Sequence, residues 1–432
     1  MSRGNIVAGL DIGTHSLKAL VVQKKQKKWE ALSYAEIPCF GLRKGAVENS
    51  GVEEVSKNIQ MIMSGVEKDC GKKINSVFVN IGGSHLHVLP SDGIISVSRA
   101  DQRISKEDVD RVLQATKAIN MSRNDEVLDV IPKEFIIDDQ KGIKQPVNLI
   151  GIRLEAKVLL LCYFQQYFTN LTQAVLAAKL QIDDVVPSPL AAANAVLTPR
   201  QKELGIALID MGAATTSLAV FEEGDLIHLA VFPIGSANIT NDIAIGLKTD
   251  VSIAESIKKQ HGTCMLSKKD SLISASNKKI RQATDKKKIE IFSAKGGPAS
   301  GWDPSLNFTK KSLVNIIEPR ISEILDLVQK ELKKIGRQGS LPGGVVLTGG
   351  GVKISKMKEF TRETLKLSCE IGIPCLAGRQ ANQIAGVQED PALATVTGLV
   401  LEGLDFDDEE GILGVAKGWG SKFKKMFRAF IP

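Results

Sequence analysis

The sequence predicts an α/β protein of two lobes, and three observations indicate this fold. The chain has 432 residues, of which 43% are hydrophobic, so it can form more than one packed core. Apolar strands alternate with segments of helical spacing along most of its length. A motif of two apolar strands joined by a turn with aspartate and glycine occurs twice, about 200 residues apart. A repeated motif in a chain of this length indicates one duplicated sheet domain in each lobe.

Charge and composition exclude several classes of protein. The formal net charge is +7, and charged residues make up 24% of the chain, as in ordinary soluble proteins. Five basic residues lie in Val415–Pro432, a stretch without acids, and the rest of the chain carries only +2. The basic excess is local, so we expect no broad nucleic-acid-binding face and no nucleic acid as partner.

The ends and the cysteines predict a cytoplasmic protein. Residues Met1–Leu10 do not form a signal peptide, and no apolar run is long enough to span a bilayer, so any membrane contact is expected to be peripheral. The cysteines are scattered, without a C-x-x-C pair, and are expected to be free thiols. No P-loop, H-E-x-x-H, G-x-S-x-G or kinase H-R-D motif is present.

In the first 83 residues the pattern predicts a hairpin, a third strand, a helix and a further strand. These elements are expected at Ile6–Asp11, Leu17–Gln23, Trp29–Ala35, Val52–Val66 and Ser76–Ile81. Residues 84–162 are expected to form an inserted unit with strands at Gly93–Val97, Glu134–Ile137 and Arg153–Cys162 and a helix at Ile104–Ile119. Within it, Ser105 and Asp108 have the spacing of a helix N-cap.

The second half repeats the hairpin at Ile206–Asp210 and Thr216–Phe221. Helices are expected at Tyr167–Lys179, Ser252–His261 and Leu313–Ile335, and a strand at Gly343–Leu347. Segment 268–288 is strongly basic and is expected to be rich in loops. Segment 404–414 holds five acids and is predicted to be a short linker.

The two hairpin turns have the composition of phosphate-binding loops. Glycine turns expose backbone N–H groups and allow phosphate oxygens to approach closely. In the first turn, Thr14 and Ser16 supply hydroxyls and Lys18 supplies a positive charge. Asp11 requires a cation between itself and phosphate, and Mg²⁺ with its water shell fits; Asp210 has the matching position in the second turn. One such turn is common at ordinary strand ends, whereas a duplicated pair favours a nucleotide site.

Two further motifs have both a functional and an ordinary interpretation. The glycines of Thr348–Gly351 suit a backbone against which a base or sugar lies, or form a flexible turn after a strand. Glu255 and Lys258 share one face of a helix, where they could contact a ribose or adenine, or form a surface salt bridge.

Small residues are concentrated in Pro189–Val196 and Pro391–Leu399. Small side chains let helices cross closely, as a hinge between two lobes requires. Two alanine-rich core helices are the alternative interpretation.

The last 18 residues predict an amphipathic helix. At about 100° per residue, its bulky apolar residues fall on one face and its basic residues on the other. Such a helix lies at the interface of an anionic bilayer; a terminal helix packed on the body is the alternative. The membrane-facing residues are predicted to be Trp419, Phe423, Met426, Phe427 and Phe430, with Lys422, Lys424, Lys425 and Arg428 towards the headgroups.

The order of hairpin, small-residue helix, second hairpin, glycine turn and second small-residue helix resembles the actin/Hsp70/sugar-kinase superfamily. Within it, the chain resembles the bacterial cell-division FtsA family over essentially its whole length. The resemblance is carried by GLDIGTHSLKALVV, SHLHVLPSDGIISVSR, IPKEFIIDDQKGIKQPVNLIGIRLEAKV, LGIALIDMGAATTSLAVFEEGDLIHLAVFPIGSANITNDIAIGLKT with AESIKKQHG, IIEPRISEIL and GGVVLTGGGVKI.

The resemblance implies an actin-like, ribonuclease H-like fold of two lobes with an inserted α+β subdomain. The implied domains are lobe 1 at 1–83, 163–200 and 381–403, an SHS2-like insertion at 84–162, lobe 2 at 201–380 with a basic subdomain at about 250–335, the acidic linker at 404–414 and the membrane helix at 415–432.

The resemblance also implies ATP with Mg²⁺ between the lobes. Asp11 and Asp210 would organise the ion. The residues implied to contact the nucleotide are Gly13, Thr14, His15, Ser16, Lys18, Gly212, Ala213, Thr215, Thr216, Gly235, Glu255, Lys258, Gly349, Gly350 and Gly351. Ser236 stands where the family usually has glycine, and Ala213-Ala214 replaces a more glycine-rich turn. Both departures leave ATP hydrolysis open, and the sequence singles out no catalytic base.

The function implied is that of a peripheral protein on the cytoplasmic face of the membrane at the midcell division site. It would bind ATP, self-associate into filaments, tie the FtsZ polymer to anionic lipid and recruit later division proteins. Arg320 would meet the C-terminal tail of FtsZ, or form a structural salt bridge. The alternatives are a pilus-assembly scaffold of similar fold and an Hsp70-like or sugar-kinase-like ATPase.

Overall fold

The computed structural model describes residues 6–25, 28–266, 288–290, 307–374 and 390–411. The strands are β1 Ile6–Ile12, β2 Ser16–Lys25, β3 Lys28–Pro38, β4 Leu42–Arg43, β5 Ala46–Val47, β6 Ser76–Ile81, β7 His87–Ser96, β8 Asp125–Ile137, β9 Gln140–Ile143, β10 Arg153–Phe164, β11 Gln181–Pro187, β12 Ile206–Met211, β13 Thr216–Glu222, β14 Asp225–Phe232, β15 Lys288–Glu290, β16 Asn307–Thr309, β17 Gly344–Thr348 and β18 Cys369–Ile371. The α-helices are α1 Val52–Cys70, α2 Lys106–Ala115, α3 Gln165–Ala177, α4 Ser188–Val196, α5 Pro199–Leu204, α6 Ser236–Leu247, α7 Val251–His261, α8 Lys310–Lys334, α9 Met357–Leu365 and α10 Ala394–Gly411.

The two lobes share one sheet topology, which confirms the predicted duplication. In lobe 1, the antiparallel meander β1–β2–β3 continues through parallel pairing of β1 with β6 and of β6 with β11. In lobe 2, β12–β13–β14 form the same meander, and β12, β17 and β18 pair in parallel in the same order. The buried apolar run of β1 and that of β12 therefore occupy equivalent central positions.

The two hairpins also have the same register. Asp11 pairs with Lys18 across the first hairpin, and Asp210 pairs with Ser217 across the second. Both aspartates therefore lie one pair before the turn. Equal register brings equivalent side chains to the same end of the two sheets.

The inserted α+β subdomain lies between β6 and α3 and consists of β7–β10 and α2. Its sheet has the order β7-β10-β8-β9 and joins the lobe 2 sheet where Ala230 of β14 pairs with His87 of β7. The helix begins with the predicted cap: the Ser105 hydroxyl accepts from the Asp108 N–H at 3.2 Å, and Asp108 accepts from the Ser105 N–H at 3.0 Å. The insertion thus leaves lobe 1, contacts lobe 2 and returns to lobe 1.

The two small-residue helices pack directly on each other. Gly398 of α10 lies so close to α4 that a Cβ atom there would overlap the Ala191 carbonyl oxygen. On its other side, α10 packs Leu399, Val400 and Leu404 into the core of lobe 1. The predicted close crossing of these helices is confirmed.

Helix α10 differs from the prediction at its C-terminal end. Helix α10 continues to Gly411, whereas a linker was predicted from Leu404. Leu404 is completely buried, and glutamate residues after it are good helix formers. The elements that were not predicted are strands β4, β5, β9, β11, β14, β15, β16 and β18 and helices α5, α6 and α9. The predicted tail helix at 415–432 and the basic residues 268–287 lie outside the described residues. No helix within the described ranges combines the length and apolar character needed to cross a bilayer.

Replacing Gly398 with alanine should destabilise the fold, because the new methyl group would push α10 away from the Ala191 carbonyl. We expect a loss of about 1–3 kcal/mol in the free energy of unfolding, the usual cost of overpacking. Urea unfolding followed by circular dichroism measures it.

Gly65→Ala on the exposed face of α1 is the matched control. Nothing lies within 4 Å of its added methyl group, so it should stabilise the helix by up to about 1 kcal/mol. Equal stability of G398A and wild type would show that the helices do not depend on this contact.

Candidate functional site

A cavity of about 560 Å³ lies between the lobes, where the two hairpin turns meet. This volume falls within the range of small-molecule sites. Of the residues proposed to contact nucleotide, the structure brings these to its walls: Asp11, Gly13, Thr14, His15, Ser16, Lys18, Asp210, Gly212, Ala213, Glu255, Lys258, Gly349, Gly350 and Gly351.

Three of the proposed residues, Thr215, Thr216 and Gly235, do not line the cavity. Thr216 is completely buried, and its hydroxyl donates to the Ile234 carbonyl at 2.8 Å, so its predicted phosphate contact is wrong. The shared register explains this: Thr216 occupies the place that Leu17 has in the first hairpin, facing the core.

Position 235 requires glycine for packing. A Cβ atom there would lie 2.5 Å from the Ala213 carbonyl oxygen, since the start of α6 packs on the second turn. The N–H groups of Ser236 and Ala237 donate to the carbonyls of Gly212 and Ala213 at 2.9 and 2.8 Å. These two helix N–H groups are therefore used within the protein.

Asp11 lies at the floor of the cavity within a buried polar network. Its Oδ2 lies 3.5 Å from Lys18 Nζ, and its Oδ1 accepts from Asn80 Nδ2 at 2.9 Å. Asn80 also accepts from the Ile12 N–H at 2.6 Å and donates to Ser188 Oγ at 3.0 Å. Asn80 on β6 and Ser188 at the start of α4 thus fix the orientation of the Asp11 carboxylate.

Burial and neighbouring charges shift the pKa values of both aspartates. Burial raises the pKa of Asp210 to about 7, the negative charge of Asp11 adds to the rise, and Lys18 opposes it. Burial likewise raises the pKa of Asp11, against the positive charge of Lys18. Two carboxylates brought together at the end of a cleft favour a bound cation.

Each turn is closed by an equivalent backbone hydrogen bond. The Gly13 N–H donates to the Ser16 carbonyl at 3.2 Å, and the Gly212 N–H donates to the Thr215 carbonyl at 2.8 Å. The alanines at 213 and 214 therefore leave the closure of the second turn intact.

The glycine segment after β17 is required by packing against the second hairpin. Gly349 has φ +87°, and a Cβ atom there would overlap Asp210 Oδ1. A Cβ atom on Gly351 would lie 2.6 Å from Met211 Cγ. Only Gly350 has open space, with Ala392 Cβ at 3.9 Å as its nearest neighbour. Gly349 therefore serves the position of Asp210, and Gly351 serves the packing against Met211.

Lys258 has all three of its ammonium donors engaged. Its Nζ lies 2.7 Å from Thr240 Oγ1, 3.0 Å from the Ser236 carbonyl and 2.7 Å from Glu255 Oε2. Burial lowers its pKa, and Glu255 opposes that shift. The ammonium ties α7 to α6, so its aliphatic stem is the part left for a ligand. The predicted role of Lys258 as a hydrogen-bond donor to a ribose or adenine is therefore revised.

Other cavity residues were not singled out from the sequence. Ser16 donates to Glu36 Oε1 at 2.6 Å, and Tyr34 donates to Glu36 Oε2 at 3.0 Å. Lys353 Nζ donates to Asp390 Oδ2 beside the same wall. Glu36 lies within β3 and Asn80 within β6, and neither strand has a glycine motif, so the local pattern held no signal for them.

Arg320 forms a structural ion pair, the second of its two interpretations. Its Nε and Nη2 donate to both oxygens of Asp242 at 2.6 and 2.8 Å, and its Nη1 donates to Glu323 at 2.6 Å. Asp242 and Glu323 raise the pKa of Arg320 further above its usual value. Of its five N–H groups, two are left for another acceptor.

Solved structures share the fold. The chain aligns with a PilM-PilN type IV pilus biogenesis complex at TM-score 0.61 and 17% identity, covering 92% of this chain and 98% of that one. It also aligns with MreB5 of Spiroplasma citri bound to ADP at TM-score 0.53 and 12% identity, covering 94% and 98%. At these identities the likeness establishes an actin-like fold.

Sequence relatives establish the family. The family model described as "Cell division protein FtsA" matches residues 207–398, and "SHS2 domain inserted in FTSA" matches residues 83–162. Cell division protein FtsA of Pseudomonas aeruginosa is 33% identical over 402 residues, covering 93% of this chain and 90% of that protein. FtsA of Bacillus subtilis is 31% identical over 388 residues, covering 90% and 83%. The chain therefore belongs to the FtsA family of actin-like cell-division proteins.

Proposed function

We propose that the chain binds ATP with Mg²⁺ in the cleft between its lobes and acts as a membrane-bound adaptor of the division ring. The observation that carries the nucleotide site is the convergence of two equivalent, acid-bearing hairpin turns on one cavity. The nucleotide-bound MreB5 structures have the same fold and support adenine nucleotide as the ligand class.

The two aspartates are suited to hold the ion through water. Among the described residues, no three or more metal-binding side chains are clustered as a protein-only site. Mg²⁺ usually keeps several waters and takes one or two carboxylates together with substrate phosphates. Asp11 and Asp210 supply those two carboxylates, and the ion would relieve the repulsion between them.

Different walls of the cavity would contact the phosphates and the nucleoside. The turn residues Thr14 and Ala213 would contact the phosphates, and Lys18 would exchange part of its pairing with Asp11 for a phosphate oxygen. Open space at Gly350 suits the nucleoside, and Glu255 is placed to accept from a ribose hydroxyl. The residues that hold the site together, Asn80 and Lys258, act through these neighbours.

For the division role we propose that the chain self-associates into filaments, binds the acidic C-terminal tail of FtsZ and recruits later division proteins. The two remaining N–H groups of Arg320 could donate to a peptide carboxylate only beside Asp242, so this arginine alone is a weak docking point. We propose that Val415–Pro432 holds the chain on anionic lipid at the cytoplasmic face of the membrane, with Lys422 and Phe423 representative of its two faces.

Replacing Lys18 with methionine should weaken binding of Mg-ATP at least about tenfold, or about 1.4 kcal/mol, because the phosphates lose the positive charge of the Lys18 ammonium. Isothermal titration calorimetry measures the change. Lys57→Met is the control, since Lys57 pairs with Glu53 on the exposed face of α1. Wild-type affinity in K18M would exclude phosphate contact at this position.

Replacing Asp210 with asparagine should remove a pH dependence of stability. The pKa of Asp210 rises from 3.8 to about 7 on folding, so between these values the folded chain keeps a proton that the unfolded chain has released. The free energy of unfolding falls as the pH rises through this window. We therefore expect D210N to be more stable relative to wild type at about pH 8 than at about pH 5.

Urea unfolding of the nucleotide-free protein at both pH values measures this difference. Asp69→Asn on the exposed face of α1 should behave like wild type. Parallel pH profiles for D210N and wild type would mean that Asp210 does not carry the raised pKa.

Deleting Val415–Pro432 should abolish co-sedimentation with vesicles that contain phosphatidylglycerol, because the tail supplies both the apolar face and the positive charge. The double variant W419E/F423E should have the same effect without shortening the chain. Binding of full-length protein should weaken with salt and on neutral phosphatidylcholine vesicles. Undiminished sedimentation of both variants would contradict the tail assignment.

A further inference from the structure

Glu36 is a carboxylate in the wall of the cleft that the proposed function leaves without a role. It lies on β3, directly opposite Lys18 of β2, and Lys18 lies directly opposite Asp11 of β1. Side chains that are directly opposite on neighbouring strands share one face of the sheet. An acid, a base and a second acid therefore form a row across three strands, beside the first hairpin turn.

Two hydroxyl groups of the same sheet hold the Glu36 carboxylate. Ser16 Oγ donates to its Oε1 at 2.6 Å, and Tyr34 Oη donates to its Oε2 at 3.0 Å. Partial burial would raise the pKa of Glu36, but the Ser16 hydrogen bond, the charge of Lys18, the Tyr34 hydrogen bond and the charge of Lys353 outweigh burial and lower the pKa. Glu36 is therefore charged at neutral pH and fixed in position.

The hydrogen bond from Ser16 places this charge close to the phosphate end of the proposed site. Ser16 is buried, and it gives its one hydroxyl hydrogen to Glu36, so the predicted donation to a phosphate would require that bond to break. A phosphate oxygen about 3 Å from the Ser16 hydroxyl would lie within roughly 6 Å of the carboxylate. Phosphates at the first turn therefore experience the charge of Glu36.

Other lysines of the cleft wall have acidic partners of their own. The pairs are Lys258 and Lys259 with Glu255, and Lys353 with Asp390. Lys18 faces both Asp11, whose Oδ2 lies 3.5 Å from its Nζ, and Glu36. Burial raises the pKa of Asp11, and the charge of Glu36 adds to the rise against the opposing charge of Lys18. One ammonium thus faces two carboxylates at this end of the cleft.

A fixed negative charge acts on a ligand in proportion to the charge of that ligand. ATP without metal carries about four negative charges at neutral pH, and Mg-ATP carries about two, so the repulsive free energy is about twice as large for the metal-free nucleotide. Glu36 is exposed, so salt screens it in part. The separation of roughly 6 Å is still shorter than the Debye length of about 8 Å at physiological salt.

We propose that Glu36 is a specificity-determining residue of the cleft: its fixed charge beside Lys18 discriminates against nucleotides that lack a bound metal ion. This inference rests on the proposed nucleotide site. Asp11 and Asp210 would hold the ion, whereas the Glu36 oxygens are engaged by hydroxyl groups and the residue acts on the phosphates through its charge.

Glu36→Gln tests the inference, because glutamine keeps the size of the side chain and an oxygen acceptor for Ser16 but removes the charge. Isothermal titration calorimetry of the full-length protein at low salt compares ATP with excess MgCl2 and ATP with EDTA. We expect E36Q to bind metal-free ATP about tenfold more tightly than wild type does, and Mg-ATP about threefold more tightly. An equal gain with both ligands, no gain or a loss would overturn the proposal.

Three controls separate the charge of Glu36 from its structural contacts. Glu36→Asp keeps the charge and should keep the wild-type ratio of the two affinities. Glu363→Gln removes the same charge from an exposed position on α9, outside the cleft, and should change neither affinity. Added salt should shrink the effect of E36Q. If E36Q does not fold, Glu36→Ala decides by the same comparison.

The same titrations distinguish failure of this inference from failure of the proposed function. If wild type binds neither Mg-ATP nor ATP, the proposed function fails, and the role of Glu36 fails with it. If wild type binds Mg-ATP and E36Q shows the wild-type ratio of affinities, the nucleotide site stands and the role of Glu36 alone is overturned.

Discussion

The structure depends on the meeting of two buried carboxylates, Asp11 and Asp210, at one end of two equivalent sheets. Burial raises the pKa of both aspartates, the charge of Asp11 raises that of Asp210 further, and Lys18 is the cation that opposes these shifts. The protein tolerates two buried carboxylates because they lie on β1 and β12, which are central strands held by many backbone hydrogen bonds. A cation bound between the two carboxylates would relieve their repulsion, which ties ligand binding to stability.

The remaining architecture keeps these carboxylates in place. Gly349 lets the chain after β17 approach Asp210, and Gly398 lets α10 lie against α4 below Asp11. Asn80 fixes the Asp11 carboxylate from the neighbouring parallel strand. Small residues and a buried amide thus position the two aspartates, which are the residues proposed to organise the ion.

The sequence pattern predicted elements that are repeated or have regular spacing. It missed the roles of residues whose partners lie far away in the sequence. The hairpins, the Ser105–Asp108 cap and the close helix pair followed from spacing alone. Thr216 was misplaced although aligning the two hairpins on their aspartates sets it against the apolar Leu17. Lys258 has helical spacing to Glu255, but only the fold shows that α6 takes up its donors. Asn80 has no local signal, because its role arises from pairing between β6 and β1. The linker predicted from Leu404 is helical, since the burial of that leucine depends on lobe 1.

The most direct test of the central claim is a crystal structure with a non-hydrolysable ATP analogue and Mn²⁺ in place of Mg²⁺, with the ion located by its anomalous scattering. We predict one ion between the side chains of residues 11 and 210, bridged to both by water and to the phosphates directly. An ion bound elsewhere, or a nucleotide whose phosphates avoid both hairpin turns, would contradict it.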